Sequence, residues 1–144
     1  MAITTNAICN SFKKELLEGV HNFSNPGGNK FNLAIYISTA TLGKSTTSFT
    51  TSGQVTSPAG YSSGGKLLVN TGTSVSSSVA ISDFADLSFT NVTLTARGAL
   101  IYNTSATNKA VCVLDFGGDK TATAGTFTIQ FPTADASDAI LRLA

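Results

Sequence analysis

Apolar and polar residues alternate over much of the chain, which is typical of β-strands with one buried face. In Phe31–Ser38 every second side chain, as far as Ile37, falls on one side and is apolar. The segment Phe127–Phe131 repeats this alternation. Residues 110–116, AVCVLDF, are apolar at nearly every position, so we predict a strand there with both faces covered. We expect these three segments to form one core.

Further strands are predicted where short apolar runs are separated by Gly, Asp, Ser or Thr. They cover residues 66–70, 74–82, 87–94, 99–103 and 139–143. Polar residues 104–109 join two of the strands in an antiparallel hairpin, and Gly117–Lys120 predicts a turn. Strand connections this short leave no room for crossover helices, so the fold class is all-β, an antiparallel β-sandwich of jelly-roll-like type.

A long surface excursion is predicted between the first strand and the rest. Residues 39–65 are rich in Ser, Thr and Gly, include Pro58 and carry few apolar residues, so one or two short strands are the most structure we expect there. The apolar anchors of this excursion are Leu42, Phe49, Val55 and Tyr61.

One short helix precedes the strands. In Ser11–Val20 the side chains of Phe12, Leu16 and Val20 recur at a spacing of four and form an apolar stripe, with Leu17 at its edge and Asn10 or Ser11 as the expected cap. A helix of this length is marginal alone, so its stripe must be buried. We predict that Phe12, Leu16 and Val20 contact the capsid or a sister subunit; the alternative is a helix that plugs one end of its own sandwich.

The chain divides into an N-terminal arm with the short helix, residues 1–21, and a β-sandwich domain, residues 22–144. Its 144 residues, 42% of them hydrophobic, suit a single core. Charged residues make up only 12%, the net charge is +1 and the basic residues are scattered, which argues against nucleic acid as a partner. No apolar run approaches the length of a membrane span, so we expect no membrane partner and synthesis in the cytoplasm.

Residues that carry chemistry are few and dispersed. His21 is the only histidine, and we interpret it as a solvated or interface residue. Cys9 and Cys112 do not form a disulfide framework, and Cys112 reads as a small buried apolar side chain. No Gly-x-Ser-x-Gly motif marks a nucleophile. The sequence therefore predicts no enzyme, no metal site and no cofactor.

The aspartates are interpreted as turn residues. The pairs Asp83 with Asp86 and Asp135 with Asp138 are expected to accept amide hydrogens of their own loops. Asp115 ends a strand before a Gly-Gly turn, and with Asp119 it offers an alternative reading as a Ca²⁺ ligand pair.

Five segments of the chain carry a resemblance to a known family. They are SFKKELLEGVHNF, FNLAIYISTATLG, GYSSGGKLL, ISDFADLSFTNVTLTARGALIYN and AVCVLDFGGDKTATAGTFTIQFPTADASDAILRLA. In this order they resemble small virion proteins of tailed bacteriophages, frequent in marine phages. The likeness covers nearly the whole chain. It implies a place in the virion after synthesis in the host cytoplasm, with the major capsid protein or other virion proteins as partners. The resemblance leaves the position on the particle open, and the head surface is the position we expect first.

Within the virion, capsid decoration, also called cement, is the function we expect. A compact domain with little charge, present in many copies or as a homo-oligomer, suits addition to a finished shell. One alternative is a tail or head-fibre component, although no fibre repeat is visible. Another is a carbohydrate-binding module for host attachment, for which the chain has no Trp and only three dispersed Tyr residues.

Overall fold

The computed structural model describes residues 3–56 and 60–144, which form eight β-strands and one α-helix. Pro58 of the predicted excursion and the first two residues of the predicted arm lie outside the described residues. The elements are β1 (Ala7–Ile8), α1 (Asn10–Leu17), β2 (Phe31–Tyr36), β3 (Lys66–Leu67), β4 (Asn70–Ser76), β5 (Val79–Phe84), β6 (Leu87–Asn103), β7 (Lys109–Ile129) and β8 (Leu141–Leu143). A 3₁₀ turn at Thr104–Ala106 lies between β6 and β7.

The strands form two antiparallel sheets. The main sheet has the order β1-β7-β6-β2-β3, and the small sheet has the order β4-β5-β8. The sheets meet where the ring of Phe84 on β5 packs against Phe31 on β2, with 5.8 Å between the ring centroids. This arrangement confirms the all-β, sandwich-like fold with one short helix.

The β6–β7 hairpin is the largest unit of the fold. Residues 99–103 and 110–116 form the predicted hairpin, with Leu100 opposite Val113. The first four residues of AVCVLDF are buried as predicted, whereas the last three are half-buried. Both strands continue further than predicted, because residues 87–94 and 99–103 belong to one strand, as do 110–116 and 127–129. The predicted strand break at Gly117–Lys120 is wrong. A bulge stands there, in which residues 116–119 of β7 lie opposite Arg97 alone.

The long hairpin is sharply bent between Phe116 and Phe127, a stretch that contains this bulge and further register shifts. The rings of Phe116 and Phe127 lie 5.8 Å apart although both residues belong to β7. A straight strand would separate their Cα atoms by about 36 Å. The bend lets Leu87, Phe127 and Ile129 reach the same core as Phe31 and Val111. The three segments predicted to share a core therefore do so, with Ile37 as the exception because it is 40% exposed.

Strand β2 is buried on both faces, whereas its alternation predicted one exposed face. Ala34 and Tyr36, on the side expected to face solvent, are fully buried. They are covered by the segment predicted as a surface excursion, whose Leu42, Val55 and Tyr61 lie in the core. The hydroxyl of Tyr61 accepts the backbone N–H of Ile35, which fixes the excursion against β2.

The predicted strand 74–82 is in fact the hairpin of β4 and β5. Ser77 and Ser78 both have positive φ, 48° and 66°, and turn the chain between the paired residues Ser76 and Val79. This is the backbone of a type I′ turn, which usually carries Asn or Gly. Because Ser77 and Ser78 are not the residues that usually mark a type I′ turn, the sequence did not predict this hairpin.

Helix α1 packs against one end of the core. Its N-cap residue is the buried Cys9, so the predicted caps Asn10 and Ser11 are wrong. The ring of Phe12 contacts Phe23, which stacks on Phe31 at 4.4 Å between centroids. Aromatic contacts continue from Phe31 through Phe84 to Phe131, two residues after the end of β7. The described part of the predicted arm thus shares its hydrophobic core with the β-domain.

Candidate interaction surface

The histidine predicted to be solvated is buried in a polar cluster at the end of α1. The side chain of His21 is 0% exposed. Its Nε2 lies 2.6 Å from Glu15 Oε2, and its Nδ1 lies 3.0 Å from Nδ2 of the buried Asn103. Asn103 Nδ2 also donates to Oδ1 of Asn29 at 2.9 Å. The prediction for His21 is wrong because Phe12, Glu15 and the distant Asn103 enclose the ring.

The hydrogen bonds of this cluster define the histidine tautomer. The N–H of Ser105 donates to Asn103 Oδ1 at 2.9 Å, so the amide nitrogen of Asn103 is the atom that faces His21. An amide nitrogen only donates, and His21 Nδ1 therefore accepts. The ring hydrogen of neutral His21 then lies on Nε2 and is donated to Glu15. Both ring nitrogens have protein partners, so the cluster connects α1 to the end of β6 by hydrogen bonds.

The two cysteines are free and buried. Burial, with the Glu15 charge nearby, raises the pKa of the Cys9 thiol to about 11. Burial also raises the pKa of Cys112, with a smaller contribution from Cys9. Thiols react as thiolates, so neither side chain is a nucleophile at neutral pH. The interpretation of Cys112 as a buried apolar residue is confirmed.

The aspartates organise turns and strand ends. Asp135 Oδ1 accepts the N–H groups of Ser137 and Asp138 at 2.8 and 2.7 Å, which confirms its predicted turn role. Asp86 Oδ1 instead accepts the N–H of the distant Phe131 at 2.8 Å, so the prediction of a local loop contact is wrong for Asp86.

Asp83 has one buried carboxylate oxygen, Oδ1, without a hydrogen-bond partner among the described residues, and burial raises the pKa of this carboxyl group. Among the same residues, no three His, Cys, Asp or Glu side chains come close enough to hold a metal ion together. None of the described helices is long and apolar enough to cross a membrane.

The predicted contact stripe of α1 is directed mainly into the protein. Phe12 is 3% exposed and lies in the core. Leu16 is half-buried and packs against the same core, and Val20 is half-buried. Leu17, at the edge of the stripe, is 92% exposed. Contact of this stripe with the capsid or a sister subunit stays a prediction, and the packing of Phe12 favours the alternative of a helix that plugs its own sandwich.

A broad polar face lies on the solvent side of the bent hairpin. In its outer half, β6 and β7 direct Leu87, Phe89, Phe127 and Ile129 into the core, so the alternate residues point outward. Most of the outward residues carry hydroxyl groups, among them Ser88, Thr93, Thr95, Thr121, Thr123, Thr126 and Thr128. We call these seven residues the hydroxyl face.

Cross-strand hydrogen bonds order the hydroxyl face. Ser88 Oγ lies 2.9 Å from Thr128 Oγ1, and Thr95 Oγ1 lies 3.0 Å from Thr121 Oγ1. Thr93 Oγ1 accepts the N–H of Ala124 at 2.9 Å. The strand segments that carry the face contain no charged residue, either from Leu87 to Ala96 or from Thr121 to Ile129. The sequence showed these threonines, but not that one bent hairpin presents them together.

None of the aromatic rings of the described residues is fully exposed for stacking on a sugar; only Phe49 and Phe116 are half-buried, and the rest are buried. Tyr36, Tyr61 and Tyr102 are buried, and none of the exposed large apolar side chains is aromatic. The tyrosine hydroxyls are occupied within the protein: those of Tyr36 and Tyr61, for example, donate to Thr50 O and Gln54 Oε1. The hydroxyl face is therefore the better candidate for contact with another molecule.

Comparison of the chain with known protein families, with curated proteins and with solved structures finds no match. The function proposed below therefore rests on the hydroxyl face and on the resemblance carried by the sequence motifs.

Proposed function

We propose that this chain is a non-enzymatic structural protein of a tailed-phage virion that decorates the head and stabilises the capsid. The observation that carries the proposal is the hydroxyl face, an exposed sheet surface with ordered polar groups and no charge. The resemblance of five sequence segments to small phage virion proteins supports the same role.

The hydroxyl face suits contact with a protein shell. Short hydroxyl side chains lose little conformational entropy when they are buried, and each can donate and accept hydrogen bonds. None of its seven residues is charged, and Lys66, a cation beside the face, already has a partner because its Nζ donates to Ser88 O at 2.7 Å. It can therefore pack closely against backbone or small polar groups of capsid subunits. Such a contact depends little on ionic strength, because screening acts on charges.

Many weak contacts of this kind are sufficient for a cement function. A protein that binds only the assembled shell stabilises it by mass action, by about 2 to 3 kcal/mol per site when its concentration is about 100 times the dissociation constant. Repetition over the capsid lattice multiplies this effect. Each copy can then bind with modest affinity.

The location is tested by an image reconstruction of virions of the encoding phage. We expect density for this fold in many copies on the head, with the hydroxyl face turned toward the capsid subunits. Density in a few copies at the tail would contradict decoration and favour a tail or head-fibre component.

The contact surface is tested by binding to heads that lack the protein. Thr126 belongs to the hydroxyl face, is exposed and takes no part in the cross-strand hydrogen bonds of the face, so Thr126→Lys places a charge there without removing an ordered pair. Thr133→Lys makes the same change at an exposed loop position outside the face. We expect Thr126→Lys to lose binding and Thr133→Lys to retain it. Equal binding of both variants would contradict the assignment of the face.

A further inference from the structure

The small sheet carries an apolar row that extends past the core. Val75 on β4, Ala80 on β5 and Leu143 on β8 are in register with one another. Val75 is 75% exposed and Leu143 is 62% exposed. The neighbouring row on the same side of the sheet includes Ser82 and Leu141, which are buried. The core-facing side of the small sheet therefore continues beyond the core with its apolar side chains uncovered.

The row ends at a free sheet edge. β4 is the terminal strand of the small sheet, and Ser76 pairs with Val79 across the two-residue turn. In such a hairpin the residues next to the turn exchange both backbone hydrogen bonds, and the bonded pairs then alternate. Ser76 and Ser74 thus face β5, whereas the N–H and C=O groups of Thr73 and Val75 point away from the sheet.

This edge lacks the charged residues that usually protect an edge strand. No charged residue occurs from Asn70 to Ser82. Two of the other three terminal strands carry a charge, Lys66 in β3 and Arg142 in β8, whereas the two-residue strand β1 has none. Among the described residues, a hydrogen bond covers the start of β4, where Asn25 Nδ2 donates to Asn70 O at 2.8 Å, and none of the described strands pairs with its outer edge.

We propose that the edge of β4 pairs with β4 of a second copy of this chain, antiparallel and across a two-fold axis at Ser74. In this register Thr73 of one copy lies opposite Val75 of the other, so the free backbone groups of both residues are paired in each copy. The two small sheets become one continuous sheet, and their apolar rows meet at the axis.

A second copy fits this edge for two reasons. The pairing is self-complementary, as an interface on a two-fold axis requires, because the same free backbone groups serve both copies. The edge is also uncharged, so no like charges oppose each other when the copies meet. This inference concerns the chain in solution and does not rest on the proposed virion function.

The first experiment measures self-association of the full chain by sedimentation over a range of concentrations. Val75→Lys introduces a charge at the edge, whereas Val69→Lys makes the same change at a position outside the strand that is 63% exposed. We expect the parent chain and Val69→Lys to dimerise, and Val75→Lys to weaken the dimer by at least about tenfold. A monomeric parent chain, or a dimer that Val75→Lys does not weaken, would overturn the proposal.

The second experiment tests the register by disulfide crosslinking. Ser74→Cys places the thiols of the two copies directly opposite each other. Ser76→Cys, on the same strand, places each thiol opposite Gly72 of the other copy, so the two thiols are too far apart to bond. The native cysteines are buried and should not compete. We expect rapid dimer crosslinking for Ser74→Cys alone. Equal crosslinking of both variants, or none for Ser74→Cys, would refute the register and with it the proposed pairing.

Discussion

Arg97 Nε donates a hydrogen bond to Asp115 Oδ1 at 2.8 Å, and the N–H of Gly117 donates to the same oxygen at 2.9 Å. These contacts join β6 to the bulge of β7 at the point where the long hairpin bends. Gly117 has a φ of 80°, a conformation that glycine adopts without strain. The pair of hydrogen bonds therefore helps to hold the bend that brings the outer half of the hairpin onto the core.

The first prediction concerns the pH dependence of this contact. The hydrogen bond from Arg97, and to a smaller extent the one from Gly117, lowers the pKa of Asp115 below its ordinary value of 3.8. A carboxyl group whose pKa is lowered by folding contributes stability that is fully present above the unfolded value. This contribution is lost as pH falls below 3.8 through the lowered pKa.

Asp115→Asn should therefore destabilise the protein at neutral pH, and the difference from the parent should shrink toward about pH 2. The measurement is the free energy of unfolding of both chains across this range. A difference that is the same at neutral and acidic pH would show that the ionised carboxylate does not stabilise the bend.

The second prediction concerns the buried cluster of His21. Asn103→Ala removes the donor to His21 Nδ1 and leaves that nitrogen buried without a partner, which should cost about 1 to 3 kcal/mol of unfolding free energy. In a His21→Phe background the same substitution should cost less, because the unpaired nitrogen is gone. Chemical denaturation of the four chains measures this coupling. Strictly additive costs would contradict the cluster as described.

The third prediction separates core packing from surface exposure on α1. Phe12→Ala should destabilise the protein by about 3 to 5 kcal/mol, because it opens a cavity at the end of the aromatic contacts. Leu17→Ala, on the exposed side of the same helix, should change stability by less than about 0.5 kcal/mol. The stabilities of the two variants and the parent are compared by thermal unfolding. Similar small effects of both substitutions would mean that the helix does not close the core.

The fourth prediction tests the facing of β7. Ile129→Asp places a charge in the core and should unfold the domain. Thr128→Asp makes an adjacent substitution on the hydroxyl face, where it removes only the surface hydrogen bond with Ser88, and should leave the domain folded with a loss of about 1 kcal/mol. Circular dichroism and melting curves distinguish the two. If Ile129→Asp has the same melting temperature as the parent, the assignment of the hairpin's outer half to the core is wrong.

Local pattern predicted the strands whose burial follows from their own sequence. The alternation of Phe127–Phe131 and the apolar run around Val111 correctly marked core segments, because side-chain period and burial are directly related in a strand. Pattern failed for β2, since Ala34 and Tyr36 are covered by an excursion distant in sequence. It failed at Gly117 as well, because glycine permits both a turn and a bulge and only the pairing partner decides between them.

The candidate surfaces depended still more on tertiary structure. His21 could not be placed from sequence because its partner Asn103 is 82 positions away. Composition indicated a surface rich in hydroxyl groups and poor in charge. The arrangement of those groups on one face became visible only with the cross-strand pairs, such as Thr95 with Thr121.

The central claim is that the protein stabilises the phage head through an uncharged contact. The most direct measurement is the temperature at which packaged DNA is released from virions that contain the chain and from virions that lack it, at low and high ionic strength. We predict a higher release temperature with the chain present at both ionic strengths, and loss of this increase with Thr126→Lys but not with Thr133→Lys. Equal release temperatures with and without the chain would contradict the decoration function, and a stabilisation that disappears at high salt would contradict an uncharged interface.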